Sequence, residues 1–398
     1  MKRKTRTKAN AAAGTGLPIS RRAEQIPPFM VMEVLERAQA LEQKGRKIYH
    51  FEVGEPDFDT PEPIKRAADR AIQSGQTHYT HSMGKLALRE AIAEHYRKRY
   101  GVRVDPARVV VTSGTSPAML LVFAALCEAG DGVILPDPHY ACYPNFLRLV
   151  DARPVRVPVS EQVGFALEPD EVRRALDART RAVLINSPSN PTGCVLSGES
   201  MRALAEVGPL VISDEIYHGL TYEGEEHSIL EYTDRAVVIN GFSKLYAMTG
   251  WRLGYVILPE DLVRPVQKMQ QNFFISAASF AQDAAIAALC ECDREVQAMR
   301  AQYAARRRVM VERVREAGLG VACEPTGAFY VFANARRFGN DSLSLAFEIL
   351  ENAGVAVTPG MDFGPGGEGF LRFSYATALE DIEQGTARLA EYLASREG

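Results

Sequence analysis

The chain has 398 residues, 46% of them hydrophobic and 24% charged, close to an ordinary soluble globular protein and long enough for two or three domains with no disulfide or metal staple. Its 46 basic side chains face 50 acidic ones, for a net charge of −4, which gives no basic footprint and argues against a dedicated nucleic-acid binder. Its 31 glycines and 22 prolines are too few for a collagen-like or broadly disordered chain.

In chain order, Lys2, Arg3, Lys4, Arg6 and Lys8 crowd the start, and a small-residue connector over 11–16 follows. This segment reads as an anion-binding or targeting arm, or as a solvated, disordered tail over residues 1–18. It lacks the apolar face of a transit helix, and no secretory signal is expected. Val31, Val34, Leu35, Ala38 and Leu41 recur at helical spacing and predict a helix over 31–44, stopped by Gly45. A turn-rich stretch, Gly54-Glu-Pro-Asp-Phe-Asp-Thr-Pro61, precedes helices expected over 62–74 and 85–100. From Arg108 onward, short apolar, β-branched runs lie at 109–112, 133–136, 155–159, 182–186, 210–213, 236–240 and 254–258. Helical patterns at 117–128, 143–149, 169–176 and 199–206 separate most of them, which implies a mostly parallel sheet with helices on both faces. The longest apolar run, 118–127, has ten residues, too short to span a bilayer, and reads as a core helix.

Beyond about residue 277 the pattern is helical through 317. Strands are then expected at 329–333 and 370–374, with helices at 342–352 and 380–394. The division that follows is a large domain over 54–290, a smaller α+β domain over 291–398, and a segment over 19–53 that packs with the smaller one. The six cysteines, Cys127, Cys142, Cys194, Cys290, Cys292 and Cys323, form no CxxC pair and have no histidine cluster beside them. They read as reduced thiols of a cytoplasmic protein, mostly small core residues, with no metal site expected.

In a doubly wound sheet, ligands sit outside the C-terminal strand ends, and that is where the candidate residues fall. Strand 109–112 runs into Ser113-Gly-Thr-Ser-Pro117. Gly114 permits a tight turn, Ser116 is a candidate helix cap, and the helix N-terminus is a candidate phosphate site. Asn186-Ser-Pro-Ser-Asn190-Pro-Thr-Gly193 follows the next strand end, either as a plain turn or as part of a site. Asp214 ends a buried run, either as a cap or structural ion pair or as an anion held for a cationic ring. Lys244 follows another apolar run, either as a solvated surface residue or as a Schiff-base nucleophile whose pKa desolvation and the nearby Arg252 would depress. Arg372 sits within an apolar strand, suited to a bidentate grip on a carboxylate or to a structural ion pair.

Taken together, Gly54-Glu-Pro-Asp-Phe58, Asn190-Pro-Thr-Gly193, Asp214-Glu-Ile-Tyr217, Ser243-Lys244 followed by Gly250-Trp-Arg-Leu-Gly254, and Arg372 resemble the class I/II aminotransferases. These are the aspartate aminotransferase-like group of fold type I pyridoxal-phosphate enzymes, and the likeness runs from about Ile19 to the C-terminus. It implies a mostly parallel seven-stranded sheet with helices on both faces, a smaller α+β domain, and pyridoxal 5′-phosphate as cofactor. It also implies that Lys244 holds the cofactor as a Schiff base, Asp214 pairs with the ring nitrogen, and Tyr217 and Asn190 reach the ring oxygen. Tyr140 matches the aromatic that stacks on the ring. Gly114, Thr115, Ser116 and Arg252 match the phosphate site, with Tyr79 contributed from the neighbouring subunit of a homodimer. Gly54, Asn190 and Arg372 match the α-carboxylate site. The implied reaction moves an amino group between an amino acid and a 2-oxo acid such as 2-oxoglutarate, with ping-pong kinetics and Lys244 shuttling the Cα proton.

Two positions depart from the family pattern. Gly241 stands where many relatives have Ser or Thr three residues before the lysine, with Ser243 nearby. Ser116 stands where some members that prefer acidic substrates carry a cation, which weighs against strict aspartate specificity. A carbon–sulfur β-lyase on the same scaffold would share Lys244, Asp214 and Arg372. A regulator built on an aminotransferase-like domain would need a DNA-binding module, and the roughly 20 residues before the enzyme-like part are too short for one. No nucleic-acid or membrane partner is expected.

Overall fold

The computed structural model of the chain describes residues 17–396; the basic cluster between residues 2 and 8 lies outside the described residues. The strands in chain order are β1 (Tyr49–His50), β2 (Val109–Thr112), β3 (Gly132–Asp137), β4 (Arg153–Pro158), β5 (Thr180–Asn186), β6 (Leu210–Asp214), β7 (Ala236–Gly241) and β8 (Gly254–Ile257). The last four are β9 (Tyr330–Asn334), β10 (Val355–Ala356), β11 (Thr358–Pro359) and β12 (Phe370–Ser374). Seven of them form one sheet in the order β2-β8-β7-β6-β5-β3-β4. Strands β3 to β7 pair in parallel, and β8 runs antiparallel to both of its neighbours, β2 and β7.

The central strands are buried on both faces, so they read as continuous apolar runs rather than as alternating ones. Their side chains still divide by pleat. Val109, Val111, Val183 and Val238 face one core, with Leu88, Ile92 and Met201 from the covering helices. Val110, Ala182, Leu184 and Val237 face the other, with Met119, Val122 and Val266. Helix Thr115–Leu126 carries the apolar run and packs on that second face. Among the described residues, no helix is long and apolar enough to cross a membrane.

Three local expectations are corrected. Ser116 does not cap the helix that follows β2; the helix starts at Thr115, its N-cap is Gly114 at φ 105°, and no side chain caps it. Only glycine enters that conformation cheaply, and a Cβ there would lie 2.7 Å from Nη2 of Arg252. A helix at Glu260–Phe273 has no counterpart in the sequence pattern because Pro265 sits inside it. Proline disfavours a helix interior, but contact with helix Thr115–Leu126 and burial of Val266 and Gln270 hold this one in place. The long helical stretch after residue 277 is two helices, Ser279–Glu291 and Asp293–Glu316, which meet at Cys292.

A second, antiparallel sheet has the order β11-β12-β9. The N-terminal segment joins this part of the molecule. β1 pairs in parallel with β10, and helix Met30–Glu42 packs Val34, Ala38 and Leu41 against Ile48, Leu350 and Ala356. One contact fixes the turn at Gly54–Asp57. Arg306, on helix Asp293–Glu316, donates to Oδ1 and Oδ2 of Asp57 at 2.7 and 2.9 Å and lies over the rings of Phe58 and Tyr303. Its guanidinium is buried, whereas Asp57 is open to water, so removing the arginine leaves a carboxylate that solvent can reach. Arg306→Ala is expected to lower stability by about 1–3 kcal/mol in urea unfolding, with only partial recovery in Arg306→Lys because lysine cannot make the two-pronged contact.

Candidate active site

The C-terminal ends of β5, β6 and β7 open into one pocket, roofed by residues of β9 and β12 and by the segment around Phe29. Asn186 ends β5, opposite Asp214 at the end of β6. Its amide Nδ2 donates to the Asp214 carbonyl at 2.9 Å, and its Oδ1 accepts from the Asn190 N–H at 2.8 Å. One side chain thereby holds the Asn190 loop against the strand end.

Asp214 is buried, accepting from the Tyr143 hydroxyl at 2.7 Å and from the Ile216 N–H at 3.2 Å. Burial pushes its carboxyl up to about 6 against those two hydrogen bonds. Above that pH it is an anion with no ion-pair partner among the described residues. Lys244 leaves the end of β7 and donates from Nζ to the Gly54 carbonyl at 2.7 Å. Burial lowers its pKa to about 8; Arg372 and Arg252 act in the same direction, while Glu55 and Asp214 oppose it. The sequence expectation of a desolvated lysine beside cations therefore matches this geometry.

Arg372, on β12, is only 2% exposed. It donates from Nη1 to Asn190 Oδ1 at 2.9 Å and from Nη2 to Thr358 Oγ1 at 3.1 Å and the Glu52 carbonyl. The rings of Tyr330 and Phe363 lie 4.4 and 5.0 Å from its guanidinium carbon. Its Nε has no partner, and no carboxylate pairs with it among the described residues. A buried guanidinium in this state is suited to an anionic ligand.

Across the pocket, Thr115 and Ser116 stand in the first helical turn, where backbone N–H groups are unsatisfied by the helix, and Arg252 lies beside Gly114. This combination suits a phosphate. Ser243 also lines the pocket. Tyr140 forms a wall, edge-on to Tyr143 and Phe29. Tyr217 meets Tyr330 hydroxyl to hydroxyl at 2.8 Å. A Cβ on Gly54 would lie 1.8 Å from the Tyr330 hydroxyl, so glycine is required for the approach of these two segments.

The structure thus brings Gly54, Thr115, Ser116, Tyr140, Asn190, Asp214, Tyr217, Lys244, Arg252 and Arg372 to one cavity, with Gly114 at its rim. Tyr79 is not among them; it is 79% exposed on this chain. Two residues were missed, and the role of a third, Asn186, was not assigned although it opens the candidate stretch 186–193. Tyr330 reads only as a strand residue and Tyr143 as the start of a helix. Their positions in those elements are legible, but their partners come from distant segments. An amine beside a buried anion, a phosphate socket, a flat aromatic wall and an unpaired guanidinium form a donor set that fits pyridoxal phosphate and an amino acid.

Comparison with known proteins agrees. The family model for aminotransferase class I and II matches residues 46–389. The chain is 41% identical to the (5-formylfuran-3-yl)methyl phosphate transaminase of Methanocaldococcus jannaschii, over 94% of this chain and 99% of that one. It is 38% identical to the aspartate aminotransferase of Pyrococcus horikoshii, over 94% and 97%. The solved aspartate aminotransferase from Thermus thermophilus with maleate superposes at a TM-score of 0.90, with 36% identity, over 94% of this chain and 100% of that one. The chain belongs to the class I and II aminotransferases, and is a fold type I transaminase that uses pyridoxal 5′-phosphate.

Proposed function

We propose that this pocket moves an amino group from an L-α-amino acid, aspartate- or alanine-like or with another neutral side chain, to a 2-oxo acid such as 2-oxoglutarate. The observation that carries this reading is the meeting of part-buried Lys244 and buried Asp214 with a buried, carboxylate-free Arg372 in one cavity. The cations that this chain brings to the cavity, Lys244, Arg252 and Arg372, each have a role below, and Phe29, Val31 and Met119 are apolar, which suits the neutral side chains among these donors.

Pyridoxal phosphate, when bound, supplies a carbonyl carbon that accepts the amino group and a ring that takes up the electron pair released at the amino acid's Cα. The N–H groups of Thr115 and Ser116, with Arg252 and the space left by Gly114, bind its phosphate. Tyr140 gives the flat wall for the ring, and Asn190 and Tyr217 bond its hydroxyl oxygen. Asp214 keeps the ring nitrogen protonated, because a buried anion is stabilised by a cation directly opposite it. Arg372 and Asn190 hold the α-carboxylate, and Gly54 lets the backbone come close. Lys244 would attach the cofactor and, once displaced by the amino acid, its amine would take the Cα proton and deliver it to the cofactor's former carbonyl carbon, on the other side of the amino nitrogen.

We also infer a homodimer in which Tyr79, exposed on this chain, reaches the phosphate of the second copy. Sedimentation equilibrium is expected to give a dimer, and a fully active monomer would overturn this.

Adding single amino acids without any 2-oxo acid is expected to bleach the visible band of the cofactor-loaded protein, and adding 2-oxoglutarate to restore it. Ammonia and pyruvate accumulating without a 2-oxo acid would replace the reading with a carbon–sulfur β-lyase. Lys244→Ala is expected to cut turnover by about 10²–10⁴-fold and to leave the cofactor removable by dialysis. The pH dependence has a definite sign. The neutral amine is the reactive form and Lys244 has its pKa lowered to about 8. Uptake of pyridoxal phosphate by the cofactor-free protein, followed by stopped-flow absorbance, should slow as pH falls through 8 and level off above it.

A further inference from the structure

Cys194 directly follows the Asn190-Pro-Thr-Gly193 motif, and Cys323 lies on the segment that enters β9. Their sulfurs are 2.8 Å apart, although 129 residues separate them in sequence. The two segments are already laced together. The Gly327 N–H donates to the Gly193 carbonyl at 2.8 Å, and the Val195 N–H donates to Thr326 Oγ1 at 3.2 Å. Both cysteines line a second cleft, distinct from the lysine pocket, with Phe165, Ser197 and Glu324 around them. A small oxidant therefore has a route to the sulfurs.

We propose that Cys194 and Cys323 are a redox modification site, closing a reversible disulfide between the Asn190 loop and the segment that carries Tyr330 when a peroxide is present. The sulfurs need only a small side-chain rotation to reach the bonding distance of about 2.05 Å. Cys323 is the attacking thiol. The Cys194 S–H donates to it and holds its pKa below the usual thiol value, whereas Cys127, Cys142 and Cys292 are raised by burial.

The steps balance. Cys323 first ionises and releases its proton; the thiolate then attacks one peroxide oxygen, the S–O bond forms, the O–O bond breaks, and the departing hydroxide becomes water with that released proton. Cys194 then attacks the Cys323 sulfur; the S–S bond forms, the S–O bond breaks, and the second hydroxide leaves as water with the Cys194 proton. Two thiols lose two electrons and two protons, and one peroxide becomes two waters. A dithiol reductant reverses this by exchange. In a reducing compartment the pair rests as thiols, so the bond reports an oxidising episode rather than serving as a permanent staple.

The test uses the full-length, cofactor-loaded protein treated with hydrogen peroxide, then alkylated and mapped by mass spectrometry without reduction. A cross-linked peptide pair containing Cys194 and Cys323 is expected, lost on adding dithiothreitol, while exposed Cys290 stays out of the bond. Because a cross-link restricts the unfolded chain, Tm is expected to rise on oxidation in the wild type and not in Cys194→Ala or Cys323→Ala. Both thiols remaining open to alkylation at a peroxide dose that modifies Cys290 would overturn the proposal. So would over-oxidation of Cys323 with no cross-link, or an equal rise in Tm in the alanine variants.

Discussion

The Asn186 side chain is the contact on which the site depends. It spans two neighbouring parallel strands at their C-terminal ends, donating to the backbone of Asp214 and accepting from the backbone of Asn190. Asn190 in turn accepts from Arg372, a residue of the other sheet. A single chain of hydrogen bonds therefore runs from the end of β6, through the loop after β5, to β12. Without it, the unpaired anion and the unpaired guanidinium would have no fixed separation, and a ligand that must reach both could not be held in one pose.

The charged groups along that chain are placed at an energetic disadvantage. Asp214 is pushed up and Lys244 down by the same burial, and Arg372 has aromatic rings and carbonyls around it where a carboxylate would be expected. Structural ion pairs elsewhere in the molecule are different. Arg306 meets Asp57 with both prongs, and buried Glu215 is satisfied by Ser213, Ser228, Tyr96 and the Ile229 N–H. Around this one cavity an anion without an ion-pair partner, an amine of lowered pKa and a guanidinium with an unpartnered Nε converge, and such a cluster marks a place where binding supplies what folding does not.

The scaffold explains why the cavity can be so poorly satisfied. The central strands bury valine, isoleucine and leucine on both faces, and Asn186 and Asp214 complete the register where β5 and β6 end. The site occupies the rim of a core whose stability does not depend on it. The turn bearing Gly54 is anchored from outside the cavity by Arg306, so its carbonyl can face Lys244 without contributing to the core.

The sequence by itself determined the strands of the large sheet to within a few residues, because buried parallel strands leave continuous apolar, β-branched runs. It also pointed to Asp214, Lys244 and Arg372; each has an ordinary explanation alone, as a cap, a solvated surface residue or a structural ion pair, and it is the set of motifs in one order and spacing that singles them out. Local rules failed where a distant segment decided the outcome. The Glu260–Phe273 helix forms despite Pro265 because it packs on a neighbouring helix, and Gly114 rather than Ser116 occupies the cap because Arg252 crowds that turn. Tyr330 and Tyr143 could be placed in strand or helix but not in the site, and Asn186 could be placed in a candidate stretch but not given its partners. Which atoms a side chain meets across more than a hundred residues depends on packing, and periodicity carries no record of it. The same holds for Cys194 and Cys323, which no spacing or motif pairs and which only the tertiary fold brings within reach of each other.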